Sequence, residues 1–247
     1  MQITKVSVRV RNAREAGEFY AGGLGLDIVA HESNVVVLTL GTIQLELIED
    51  PPADGDHHFA ITIPSYKFDK AKTWIQQRTV LLGTSETDEF ECPPAWNAHS
   101  LYCTGHDRSV LELIIRRDLD NSAAGPFTSA DLLCISEVGV AVPDIPALVA
   151  TLAHDTKIAP YGDAQGGAFA PVGDVNGMLI LVAPGRIWLP TTDHTARQNP
   201  VFITATGRRC WIPASVRGTY RQRSRSACPR YPWVARISRR DDGCPRA

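Results

Sequence analysis

No apolar run in this 247-residue chain approaches the roughly 20 residues that span a bilayer, so no membrane partner is expected. The opening MQITKVSVRV alternates polar and apolar side chains and lacks the apolar block of a signal peptide. The cytoplasm is therefore the expected address. No CxxC pair and no Cys–His finger spacing occurs, which argues against a thioredoxin-type centre and a zinc finger. Free thiols are expected instead of a disulfide framework. GxGxxG, Walker and G-x-S-x-G motifs are also missing, which removes the usual phosphate loops and the nucleophile elbow. What is present, 44% hydrophobic and 21% charged residues, suits a globular protein with a sizeable core.

Lysine is absent from residues 207–247, which hold eleven arginines against Asp241 and Asp242. That stretch carries +9, so the preceding 206 residues carry −11 of the overall −2. The body and the tail need separate readings. The tail shows no period. It reads as a disordered basic extension or an out-of-frame translation, with nucleic-acid contact as a weaker third reading. Nucleic acid is not expected as a partner.

The body repeats itself. Residues 3–10 alternate as a half-buried strand, with Val6, Val8 and Val10 on one face. A helix capped by Asn12 follows over 12–24, then strands near 27–32, 34–40 and 43–49, closed by Pro51 and Pro52. The same order returns with a strand at 58–63, a helix at 65–78 and strands near 80–84, 98–104 and 109–116. After a turn-rich linker at 118–131, a third unit opens at residue 134, with a helix near 144–154 and strands near 168–172 and 178–183. The expected fold class is α+β: three βαβββ modules, two of them pairing into a curved-sheet, barrel-like cup. The expected domains are 1–117, the paired modules with the ligand cup; 118–131, the linker; 132–200, a degenerate third module; and 201–247, the Arg-rich tail. A third module without a partner in the chain predicts a homodimer through residues 132–192.

Three segments resemble the vicinal oxygen chelate superfamily, which includes glyoxalase I, bleomycin-resistance proteins and extradiol ring-cleavage dioxygenases. They are FYAGGLGL (19–26), HHFAITIP (57–64) and WNAHSLYCTGHDRSVLELI (96–114). ISEVGVAVPDI (135–145) and the FAPVGDVNG segment from Phe169 resemble the later part of a glyoxalase-like bacterial subgroup. The resemblance implies metal ligands on the first and last strand of each module. In this sequence the first-strand positions are Lys5, His58 and Glu137, and the last-strand positions are Glu46, Glu112 and Leu181. His58, Glu112 and Glu46 are the ligands it implies for a divalent metal, which would be Fe, Mn, Zn or Ni.

Glu112 interrupts the apolar run VLELII, and a buried carboxylate needs a metal, a cation or a proton. His99, on a neighbouring strand, is the candidate acid–base catalyst, and Lys5 and Tyr102 are candidate substrate contacts. The expected function is divalent-metal-dependent chemistry on a small oxygen-bearing substrate, of ring-cleavage dioxygenase or lyase/isomerase type. Lys5 in place of the usual first histidine keeps open an alternative: a metal-free small-molecule binding protein of the bleomycin-resistance type, its carboxylate neutralised by lysine.

Overall fold

A computed structural model describes residues 1–53, 55–162, 167–205 and, for the backbone alone, 208–212. Most of the Arg-rich tail lies outside the described residues. The described chain is sheet-dominated, with fourteen strands and three α-helices. No described helix is long and apolar enough to cross a membrane.

The first unit runs β1 (Ile3–Val10), α1 (Ala13–Glu18), β2 (Asp27–Glu32), β3 (Val35–Leu40) and β4 (Ile43–Glu49). The Asn12 side chain accepts from the Glu15 amide at 3.1 Å and starts α1. The helix lies flat on β3 because Gly17 has no side chain: a Cβ there would stand 2.8 Å from Val36 Cγ1. The second unit runs β5 (His58–Thr62), α2 (Phe68–Gln76), the short β6 (Leu81–Leu82) and β7 (Glu89–Glu91), then β8 (Ala98–Thr104) and β9 (Val110–Arg116). The third runs β10 (Cys134–Ala141), α3 (Ile145–Thr156), β11 (Phe169–Asp174) and β12 (Gly177–Val182). Its remaining strand is reduced to a bridge between Pro160 and Val172, so a regular three-fold βαβββ repeat is not seen. β13 (Val201–Ala205) and β14 (Arg208–Ile212) follow.

These strands form two sheets. Sheet one has the order β14-β13-β1-β4-β3-β2, and sheet two β11-β12-β10-β5-β9-β8-β6, with β7 also on β8. The pairing of units differs from the expected one. Unit two pairs with unit three, because β10 lies antiparallel on the free edge of β5, with Cys134 opposite Thr62. Unit one pairs instead with β13, which runs antiparallel to β1 from Val201 opposite Val8 to Ala205 opposite Ile3. Residues 201–205, expected in the tail, are thus part of a sheet. The third unit finds its partner inside the chain, which removes the reason for expecting a dimer through it. The physical cause of the error is that all three opening strands carry the same alternation, which marks a face but not a neighbour.

One core is shared by the two sheets and the helices, with Val6, Leu45, Phe59, Leu113, Val138 and Leu152 among its members. A second, smaller core covers the other face of sheet two and includes Ala60, Trp96, Tyr102, Ile114, Ile180 and Trp188. The candidate site lies on that second face.

Candidate functional site

Strand alternation builds the site. On β5, Phe59, Ile61 and Ile63 enter the shared core, so His58, Ala60 and Thr62 face the smaller one. On β9, Leu111, Leu113 and Ile115 go to the shared core, so Glu112, Ile114 and Arg116 share the face of His58. On β10, register with β5 puts Glu137 opposite Ala60, across a bulge. Ala60 is also the direct partner of Glu112 on β9, so one alanine separates the two glutamates.

The outcome is a buried cluster in which ligand atoms of His58, Glu112 and Glu137 lie within 4.8 Å of one another. The Ser100 hydroxyl donates to Glu112 Oε1 at 2.5 Å, and the Tyr102 hydroxyl also bonds this carboxylate. Glu112 Oε2 stands 3.5 Å from His58 Nε2. The other ring nitrogen, Nδ1, lies 3.2 Å from the Val110 carbonyl, which only accepts, so Nδ1 carries the proton. Burial lowers the His58 pKa to about 4, so the ring is neutral and Nε2 offers a lone pair. Burial, and next the charge of Glu137, push Glu112 up to about 8. Burial likewise raises Glu137, against the opposing pull of Arg116, whose Nη2 donates to Glu137 Oε1.

Two carboxyl groups and one neutral imidazole therefore face one guanidinium. If both acids are ionised, the cluster carries one uncompensated negative charge. His58 Nε2 and Glu112 Oε2 then face each other as two acceptors. A proton on Glu112 relieves that arrangement, and so does a cation between them. The donor set of one imidazole and two carboxylates, with Nδ1–H orienting the histidine from behind, fits a divalent metal.

Trp188 covers the histidine. Its indole stacks on the His58 ring, with centroids 4.9 Å apart, and its Nε1 donates to the Asp56 carbonyl at 2.9 Å. Gly139 makes that contact possible, since a Cβ there would stand 2.6 Å from Trp188 Cη2 and 2.8 Å from His58 Cβ.

Of the residues singled out in the sequence, His58, Glu112 and Tyr102 come together. Three others do not. Glu46 lies on sheet one, where its Oε1 accepts from Lys5 Nζ at 2.6 Å, so neither Glu46 nor Lys5 reaches the cluster. Burial pushes the Glu46 carboxyl up, but hydrogen bonds from Lys5 and Ser7 hold it below its usual range. His99 points through the opposite face of β8, its ring tilted against that of Phe68 with centroids 4.4 Å apart, and its Nδ1 lies 2.9 Å from Glu91 Oε1. It is three residues from Tyr102, and an odd separation on a regular strand changes the face. The fourth position of the cup also shifts. Gly139 pairs with Ile180, while Leu181 enters the shared core, so Ile180 and not Leu181 stands on the site's face. Arg116 and Ser100 were missed, although both follow from the same alternation, two or four residues from Tyr102 and Glu112.

Neither a family model nor a curated protein matches this sequence. Solved structures do. A proposed dioxygenase from Bacillus subtilis superposes with a TM-score of 0.54 at 14% identity, covering 86% of this chain and 70% of that one. A glyoxalase I variant from Zea mays superposes at 0.52 with 13% identity, covering 81% and 73%. At these identities the likeness is one of fold alone: this chain shares the fold of those two proteins.

Proposed function

We propose that this chain is a divalent-metal-dependent enzyme acting on a small oxygen-bearing substrate, with His58, Glu112 and Glu137 as the metal ligands. The observation that carries the reading is the convergence of these three buried groups from β5, β9 and β10. Held by these three residues, a divalent ion would supply Lewis acidity to the substrate. The remaining work falls to the chain. Ser100 and Tyr102 orient Glu112, the Val110 carbonyl fixes the histidine tautomer, and Trp188 with Tyr102 keeps water from the site.

Ring-cleaving iron sites use two histidines and one carboxylate, whereas this cluster has one histidine and two carboxylates. That donor balance favours lyase or isomerase chemistry over dioxygen activation. A second reading, a metal-free binding protein, draws support from Arg116, which already neutralises Glu137.

Metal content by plasma mass spectrometry decides between them, on the purified protein and on Glu112→Ala. Near-stoichiometric Mn, Fe, Zn or Ni in the parent, lost in the variant, is the expected result. No uptake by the parent after soaking with each ion sinks the enzyme reading and leaves the binding protein.

A further inference from the structure

Arg116 is fully buried, yet only one of its three guanidinium nitrogens has a partner. Nε and Nη1 are both sealed from solvent and bonded to nothing. Such a residue is expensive to keep, because each unpaired buried donor loses its hydration without replacement. The same holds next door. Thr62 on β5 is buried, its hydroxyl has the Cys134 thiol as neighbour and no oxygen or nitrogen partner, and it stands opposite Ile114, diagonal to Arg116 on the same face. Across the other edge of β5, Cys134 is paired with Thr62; burial raises its thiol, while the Thr62 hydroxyl and the Arg116 charge act against that rise. The three side chains thus adjoin one another on β9, β5 and β10, beyond Glu137. The donors left over there are the positive groups of Arg116 and a neutral hydroxyl.

We propose that Arg116 and Thr62 form an anion subsite beside the metal triad, which receives a carboxylate of the substrate. The substrate class narrows accordingly to small oxygen-bearing acids. The charge balance, which rests on the metal reading above, agrees. A divalent ion and Arg116 against two ionised glutamates leave the site at +1, and a monoanionic ligand brings it to zero. Arg116 then has two tasks. Through Nη2 it positions Glu137, and through Nε and Nη1 it holds the substrate's acid group. Ser100, level with Ile114 on β8, gives its hydroxyl proton to Glu112, and Trp188 covers His58, so neither takes part.

The test uses the 15N-labelled protein as purified, titrated with sodium acetate, and in parallel with acetamide, which has the same shape and no charge. The arginine Nε–H resonances are followed, and that of Arg116 is identified by its loss in Arg116→Gln. The expected result is a saturable shift with acetate and none with acetamide. Thr62→Val, which keeps the shape of the residue and removes the hydroxyl, should weaken acetate about tenfold, the usual effect of one hydrogen bond to a charged group. An Arg116 resonance that ignores acetate, or follows acetamide equally, overturns the subsite. Metal content is measured on the same sample. Metal with no acetate response defeats the subsite and spares the function, whereas an acetate response without metal does the reverse.

Discussion

Each sheet carries a cation–carboxylate pair beside its central strand, and the two pairs live in different worlds. On sheet one, Lys5 and Glu46 project from β1 and β4 with about a third and a fifth of their side-chain surface in contact with solvent. On sheet two, Arg116 and Glu137 are sealed, at 0% and 3%. Water screens the first pair and makes it cheap to break. The second pair cannot be broken from one side without leaving a charge in an apolar surrounding. Sealing gives the unpaired Nε and Nη1 of Arg116, and the close approach of His58 to Glu112, an energetic weight that the pair on sheet one lacks.

Three experiments press on that difference. The largest effect is expected of Arg116→Met, which strands Glu137 beside Glu112 and should lower the unfolding free energy by about 3–5 kcal/mol in urea titrations. Loss of less than about 1 kcal/mol would show that water reaches the cluster and erase the distinction between the sheets.

The next effect is one of pH in metal-free protein. The folded Glu112 pKa of about 8 lies above its unfolded value, so its contribution is complete in acid and is lost as pH rises toward 8. His58, lowered to about 4, works the other way and loses its contribution as pH falls below about 6.5. The two oppose each other between about pH 4.5 and 6.5. Above that range stability should fall toward pH 8 by about 1.4 kcal/mol per unit, and Glu112→Gln should flatten the slope. Glu46 on sheet one has the opposite sign, since its lowered pKa makes its contribution fade only in acid. A parent whose thermal stability is level from pH 6.5 to 8 would contradict the buried-carboxylate account.

The smallest effect belongs to Lys5→Met, expected to change stability by about 0–1 kcal/mol and to leave metal content untouched. Metal loss in that variant would tie the two sheets together in a way the geometry does not.

Much of this was legible in the chain beforehand. Period-2 alternation located β1, β5 and β10, and the odd polar residue in VLELII exposed Glu112. The same pattern puts His58 and Glu137 on the polar faces of their strands, but no ligand is expected at Glu137 from the sequence, because its unit carries Leu181 at the last-strand position. Three identical-looking strands could not reveal who pairs with whom, so Glu46 was assigned to a site on the other sheet. His99 differs for a simpler reason: the strand beside Glu112 is the ground for choosing it, and its parity with Tyr102 and Ser100 puts it on the other face. Arg116 was readable from Glu112-x-Ile114-x-Arg116. An arginine at a strand end is usually taken as a solvated terminus, and only the neighbouring strands β8 and β10 bury it.

The pairing of β1 with β13 also sets an order of assembly. The Thr4 hydroxyl bonds to the Thr204 carbonyl across 200 residues of chain, whereas every strand of sheet two lies between residues 58 and 182. A ribosome working from the N-terminus releases the whole of sheet two before β13 exists. During that interval β1, made first, keeps one edge bare and open to other chains. The earliest strand synthesised is therefore among the last to be enclosed.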